Sequence, residues 1–183
     1  MDAAQLDSLD SAVLLATNGD GGSGIDFVMH WASNKWVWVP AYALLLWWLW
    51  KQLQGRVWVA VLGIVATIAA ADRISSGWLK PLTHRLRPCH VAHLLPQLHM
   101  PDPCGGQFGF VSSHAANSFG LAMCCWVLLG QRHPWLAWLF AWAAFVSYSR
   151  VYLAAHYPLD VLAGAGLGVL CGAIFGSLAK RYI

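Results

Sequence analysis

Apolar residues fall into long runs along this 183-residue chain, and short polar segments separate the runs. Five runs predict helices that cross a membrane, each with a few flanking polar residues, because a span takes ~20 residues. These runs cover about residues 36–50, 57–79, 115–130, 134–150 and 159–179. Ahead of them, residues 4–17 and 25–34 have the pattern of short amphipathic helices that lie at a membrane interface.

The pattern predicts an all-α fold, a polytopic membrane helical bundle of about five transmembrane helices. We expect a single integral membrane domain over residues 1–183, with interfacial helices in 1–34 and the transmembrane core in 35–183. Composition agrees, since 58% of the residues are hydrophobic and only 10% are charged. Soluble domains carry roughly 25% charged residues, so the composition argues against a water-soluble domain and excludes a disordered chain.

The distribution of basic residues predicts the orientation in the membrane. The loops after the first and third runs and the end of the last run carry Lys51, Arg56, Arg132, Lys180 and Arg181. With five spans these positions share one side, which the positive-inside rule makes cytoplasmic. The segments 80–113 and 151–158 then face outward, as in a bacterial-type cytoplasmic membrane with a periplasmic face. The net charge of +3 is too small to indicate nucleic-acid binding.

Small residues repeat at every fourth position of the last run, at Gly164, Gly168, Gly172 and Gly176. This spacing puts the four glycines on one helix face and allows a neighbouring helix to approach closely. We expect this packing to be within the chain rather than between two copies.

Three polar clusters flank the predicted outer ends of the spans. They run from Lys80 to Pro88, from Val111 to His114 and from Ser149 to Asp160. Their cations suit phosphate oxygens, and the backbone amides that open the third span suit an anion. Two imidazoles and a carboxylate complete a phosphoryl-transfer site that needs no metal.

The clusters resemble the motifs of the type 2 phosphatidic acid phosphatases, membrane relatives of the vanadium haloperoxidases. That family has K-x6-RP, then PSGH, then SR-x5-H-x3-D. The first and third motifs match in full, and the second reads VSSH, with Val111 in place of Pro and Ser113 in place of Gly. The resemblance covers about residues 57–180.

The resemblance implies a mechanism and a fold. His156 attacks phosphorus and forms a phosphohistidine, Asp160 orients His156, and His114 protonates the leaving oxygen and then activates water. The implied phosphate-binding groups are Lys80, Arg87, Arg150 and the amides near Ser112 and Ser113. The implied fold is a helical bundle with its active site at the outer face of the membrane.

We therefore expect a metal-independent lipid phosphatase without a cofactor, whose partners are the lipid bilayer and a lipid phosphate. Undecaprenyl diphosphate is the favoured substrate, because the cationic cluster is dense. The alternatives are phosphatidylglycerophosphate, phosphatidic acid and lipid A phosphates. A non-catalytic headgroup-binding protein and a haem- or metal-binding membrane subunit are competing classes, and no nucleic acid or obligate protein partner is expected.

The loop before the second motif holds Cys89 and Cys104, which we expect to form a disulfide in an oxidising compartment. Four histidines of the same loop, at positions 84, 90, 93 and 99, match no compact zinc pattern. Asp72 and Arg73 interrupt the second apolar run, and we expect them to pair or to line the entrance to the site.

Overall fold

A computed structural model describes residues 2–183 as an all-α protein, in agreement with the predicted fold class. Its α-helices are α1 (Ala3–Thr17), α2 (Ser23–Ser33), α3 (Val39–Leu53), α4 (Val57–Asp72), α5 (Lys80–Thr83), α6 (Ser113–Leu129), α7 (Trp138–Tyr152) and α8 (Pro158–Lys180). A π-helical segment, Arg73–Leu79, joins α4 to α5. Within the described residues the only β-bridge pairs Leu86 with Phe108.

The predicted spans correspond to α3, to α4 with its extension, and to α6, α7 and α8. By length and composition, two helical stretches of residues 2–183 are apolar enough to cross a bilayer, Lys35–Thr83 and Pro158–Lys180. The first stretch includes a turn at Gln54, where φ is 47°. The total of about five spans remains a prediction.

Helix α6 lies at the centre and packs against α4, α7 and α8. Its contact with α8 is backbone to backbone. A Cβ added at Gly164, Gly168 or Gly172 would overlap a carbonyl oxygen of α6 or of its N-cap residue. The expectation of close packing within the chain is therefore confirmed. Because the start of α8 meets the start of α6, both N-termini lie at the same end of the bundle.

The lateral surface of the bundle carries large apolar side chains. Those at least half exposed include Trp47, Trp58, Leu62, Val65, Trp138, Leu162 and Leu170. A soluble monomer rarely exposes a patch of this extent, so the surface suits contact with lipid. At the end opposite the α6 N-terminus, Arg56 donates a hydrogen bond to the carbonyl of Ile183.

The N-terminal helices are not only interfacial. Leu14 of α1 is fully buried and packs with Leu94, Val151 and Tyr157. Helix α2 packs against α7. The sequence pattern predicted amphipathic helices here, and the structure adds that their inner faces cover the end of the bundle where α6 and α8 begin.

Candidate active site

The three motifs meet at this covered end of the bundle. The first motif includes α5, the second opens α6, and the third runs from the end of α7 into the start of α8. Helix ends set the positions of these side chains, because Ser112 caps α6 and Pro158 is the first residue of α8.

His156 and Asp160 are both buried, with exposed fractions of 1% and 0%. Nδ1 of His156 lies 3.6 Å from Oδ2 of Asp160. The resemblance implies that Asp160 orients His156, and the two atoms face each other at a separation longer than a hydrogen bond. Oδ2 of Asp160 also accepts a hydrogen bond from the Tyr157 amide at 3.1 Å. Nδ1 faces the carboxylate, which leaves Nε2 as the nitrogen that can meet a substrate.

Burial lowers the pKa of His156 to about 4, with Arg87 and Arg150 acting in the same direction and Asp160 opposing them. His156 is therefore neutral at pH 7, and neutral imidazole is the nucleophilic form.

His114 lies in the first turn of α6 and is also neutral at pH 7. Burial lowers its pKa to about 3, and Arg150 and His156 add to this effect. Contact with the Ser33 backbone opposes it. A phosphate dianion among the same cations would raise the pKa of His114, so that substrate binding favours the protonated form that acts as an acid.

The three predicted cations are each held by one polar contact. Nζ of Lys80 donates to Oγ of Ser113 at 2.8 Å, and Nε of Arg87 donates to the Phe108 carbonyl at 3.2 Å. Nη1 of Arg150 donates to Oγ of Ser33 at 2.6 Å. Nε of Arg150 is buried without a hydrogen-bond partner among the described residues. Each cation therefore keeps donors for an anion.

Ser112 differs from its predicted role. Its side chain is fully buried and caps α6, and its amide donates to the Asp160 carbonyl at 2.9 Å. That amide is consequently not available to hold a phosphate oxygen, whereas Ser113 and His114 lie in the first helical turn, whose amides lack intrahelical partners.

Ser113 is the centre of a hydroxyl cluster. Its Oγ contacts Oγ of Ser75 at 3.1 Å and Oγ of Ser76 at 2.8 Å, besides Nζ of Lys80. The residue that replaces the family's glycine thus supplies an additional contact that orients Lys80, which the motif predicts to bind phosphate.

Sequence reasoning missed Ser33, Ser75, Ser76, Arg85 and Asp10. Arg85 lies inside the first motif, and its Nη1 donates to Oδ1 of Asp160 at 2.7 Å. The three serines are ordinary polar residues in apolar or helical surroundings, and no sequence motif includes them. Asp10 is 150 residues from Asp160 in the sequence, so no local pattern could connect the two.

The structure joins Cys89 and Cys104 in a disulfide with a Cα–Cα distance of 5.9 Å. The histidines of this loop make contacts with protein groups. Nε2 of His90 lies 3.0 Å from the Gly105 carbonyl, and Nε2 of His99 lies 2.7 Å from Oδ1 of Asp26. Asp72 lines a groove beside the site and accepts a hydrogen bond from Ser76 at 3.4 Å.

An apolar groove of about 600 Å³ leads away from His114. Helices α3, α4, α6 and α7 line it, with side chains that include Tyr42, Leu46, Val65 and Leu121. Tyr42, Leu46 and Val65 are also exposed, so the groove opens on the lateral surface of the bundle. The site thus combines a cationic, histidine-containing end with an adjoining apolar channel.

Comparison with known proteins assigns this arrangement to a family, because residues 60–182 match the family model of the PAP2 superfamily. The chain belongs to the PAP2 superfamily. A lipid A 4'-phosphatase of Bacteroides thetaiotaomicron is 38% identical over 180 residues, covering 96% of this chain and 79% of that protein. An undecaprenyl-diphosphatase of Sulfolobus acidocaldarius is 30% identical over 137 residues, covering 74% of this chain and 60% of that protein.

The fold has a counterpart among PAP2 crystal structures. A PAP2-type phosphatidylglycerolphosphate phosphatase from Bacillus subtilis superposes with a TM-score of 0.73 at 19% identity. The match covers 98% of this chain and 88% of that one. The family match and the lipid phosphatases named above show that the PAP2 protein described here is a membrane lipid phosphatase, as its motifs predicted. The relatives act on different lipids, so family membership does not fix the substrate, and the preference for undecaprenyl diphosphate has no support over the lipid A alternative.

Proposed function

We propose that this PAP2 phosphatase hydrolyses a phosphate monoester of a lipid A type glycolipid at the outer face of a cytoplasmic membrane. The observation that carries the proposal is that His114 lines the inner end of the apolar groove and also lies close to His156, Arg150 and Lys80. The lipid A 4'-phosphatase that matches 96% of the chain supports this substrate over undecaprenyl diphosphate.

The chemistry takes place in two displacements. Nε2 of His156 attacks phosphorus while the bond from phosphorus to the lipid oxygen breaks, and His114 gives that oxygen a proton. The phosphohistidine is then attacked by a water that loses its proton to His114, which releases inorganic phosphate and restores both imidazoles. The positive charge on the phosphorylated ring is balanced by Asp160, which lies 3.6 Å from Nδ1.

Charge at the phosphate is neutralised by Lys80, Arg87 and Arg150 together with the amides of the first turn of α6. These donors supply the stabilisation that a divalent cation gives in other phosphatases, so we expect activity to persist in EDTA. Vanadate should inhibit, because a trigonal-bipyramidal adduct on His156 resembles the transition state.

The groove accounts for a lipid leaving group. Its walls begin at Ser113 and His114 and continue through Leu121 and Val146. Its volume of about 600 Å³ is within the range of roughly 300–1,000 Å³ typical of ligand pockets. A phosphate held at the cations would leave the rest of the glycolipid, with its acyl chains, beside this groove.

Undecaprenyl diphosphate is the second candidate. The dense cationic cluster favours it, since a diphosphate carries more negative charge than a monoester. The Sulfolobus acidocaldarius relative has this substrate in its name.

Phosphate release from purified protein in detergent separates the candidates. The panel comprises lipid A, undecaprenyl diphosphate, phosphatidylglycerophosphate and phosphatidic acid, each with wild type and His156→Ala. We expect the highest kcat/KM with lipid A, and neither turnover nor an acid-labile phosphoenzyme in His156→Ala. His114→Ala should retain slow turnover. A preference for undecaprenyl diphosphate would reject the lipid A assignment, and near wild-type turnover by His156→Ala would reject the mechanism.

A further inference from the structure

Helix α1 brings a buried carboxylate to the back of the active site. Asp10 is only 3% exposed. Its Oδ2 accepts a hydrogen bond from Nη2 of Arg85 at 2.7 Å, and its Oδ1 accepts one from the Leu159 amide at 3.0 Å. Leu159 immediately precedes Asp160 in the first turn of α8. Asp10 therefore contacts both this turn and Arg85, the arginine that binds the Asp160 carboxylate.

Arg85 connects the two buried acids. Its Nη1 donates to Oδ1 of Asp160 at 2.7 Å, and its guanidinium lies over the ring of Tyr157, 4.4 Å from the centroid. The planar guanidinium of Arg85 binds the two carboxylates through two separate nitrogens, so it fixes their orientations more firmly than a lysine would. The orientation of Asp160 toward His156 is thereby tied to α1.

Resting on the proposed mechanism, we propose that Asp10 is a positioning residue for His156, acting through Arg85 and Asp160. Together Asp10, Arg85 and Asp160 carry one net negative charge. If Asp10 is removed, the remaining Arg85 and Asp160 form a neutral pair. The negative charge that balances the phosphorylated His156 ring is then largely cancelled. Helix α1 precedes the residues 60–182 that match the family model, so this contribution comes from outside the matched region.

Asp7 provides a matched control. It is on the same helix and contacts the same Nη2 of Arg85 at 2.9 Å, but its side chain is 70% exposed. An exposed ion pair with such an aspartate contributes little, whereas loss of the buried Asp10 carboxylate removes two hydrogen bonds and a desolvated charge.

The test compares Asp10→Asn with Asp7→Asn in steady-state and single-turnover assays on the substrate that wild type hydrolyses best. We expect Asp10→Asn to lower kcat and the rate of phosphoenzyme formation about tenfold or more, with KM changed less than about twofold. Asp7→Asn should stay within about twofold of wild type in both. Asp10→Glu, which keeps the charge, should recover part of the rate.

A pH profile distinguishes positioning from folding. His156 is faced by Asp160, Arg87, Arg150 and His114, and Arg85 stands behind Asp160. Removing one negative charge from this group should move the acid limb of kcat/KM to lower pH in Asp10→Asn and leave it in place in Asp7→Asn.

If Asp10→Asn does not fold, Arg85→Lys takes its place and should show the same loss of kcat at unchanged KM. Equal kinetics and pH profiles for Asp10→Asn, Asp7→Asn and wild type would overturn the inference while leaving the proposed function intact. Absence of turnover in wild type on every lipid of the panel, or near wild-type turnover by His156→Ala, would instead reject the proposed function.

Discussion

Gly109 lies where the loop before α6 passes the buried carboxylate of Asp160. A Cβ at this position would be 2.9 Å from Oδ2 of Asp160 and 3.3 Å from Cγ of Arg87. Both neighbours belong to the proposed site, and the Asp160 carboxylate is held by hydrogen bonds from Arg85 and the Tyr157 amide, so a shift of either neighbour would disturb the proposed chemistry.

We therefore expect Gly109→Ala to lower kcat by about tenfold or more, because a shift of well under 1 Å at a catalytic group has effects of this order. Gly106→Ala is the control, since nothing lies within 4 Å of a Cβ there. Phosphate release under saturating substrate measures the effect. Equal rates for the two variants would show that Asp160 has more freedom than the structure indicates.

At the scale of helices, the contact of α6 with α8 sets the relative positions of the three side chains proposed to be catalytic, His114, His156 and Asp160. Gly168 meets the backbone of Ala116 and Gly120, about half a turn and somewhat less than two turns beyond His114. Gly166, on the same helix, has nothing within 4 Å of a built Cβ.

Gly168→Ala should destabilise the protein by about 1–3 kcal/mol through overpacking. Gly166→Ala should be neutral or stabilising by about 0.5–1 kcal/mol, since alanine favours the helix. Thermal unfolding in detergent reports both values. A Gly168→Ala variant as stable as Gly166→Ala would mean that the two helices can separate at little cost.

The loop closed by Cys89 and Cys104 is the second element that positions the site. Cys89 follows Arg87 by two residues, and Gly105 packs against the Arg87 guanidinium, with 3.1 Å from a built Cβ to Nη1. The disulfide therefore restrains Arg87, which is proposed to bind phosphate, as well as the chain.

Cys89→Ser with Cys104→Ser should cost about 3 kcal/mol of stability for a loop of 15 residues. It should also raise KM for the lipid phosphate. Cys171→Ser changes a buried thiol outside the loop and serves as the control. Free alkylation of both cysteines in non-reduced membranes from cells with an intact oxidising pathway would contradict the disulfide.

For the whole molecule, two buried neutral histidines make stability depend on pH. The pKa values of His156 and His114 are lowered to about 4 and about 3 in the folded protein, against about 6.5 in an unfolded chain. Below pH 6.5 the unfolded chain therefore binds protons that the folded protein does not, and folding is penalised.

We expect the free energy of unfolding to fall as the pH is lowered from about 6.5 to about 4, by up to about 1.4 kcal/mol per pH unit for each histidine. The slope should flatten once the folded protein also binds these protons. His156→Gln should reduce the slope, because it removes one of these two buried imidazoles. An identical pH dependence in wild type and His156→Gln would show that His156 is not buried in its neutral form.

The sequence predicted the helices and the motif residues, because membrane spans are continuous apolar runs and the three motifs have fixed internal spacing. It did not predict that the Ser112 amide would be used by the Asp160 carbonyl, since that contact depends on how α6 and α8 meet. The sequence pattern predicted that α1 lies at the membrane interface, whereas Leu14 of α1 is buried against the rest of the protein. The pairing of Asp10 with Arg85 depends on tertiary packing, and an aspartate on an amphipathic helix is normally solvated.

The lateral opening of the groove, between Tyr42 and Val65, has a consequence for how the enzyme encounters its substrate. If a lipid enters through this opening, it reaches His114 by diffusion in the plane of the bilayer. Turnover is then governed by the surface density of the lipid phosphate, its mole fraction among neighbouring lipids, rather than by its concentration in the bulk solution. Inert lipid that dilutes the substrate within the membrane then lowers the rate of turnover, even when the total amount of substrate is unchanged.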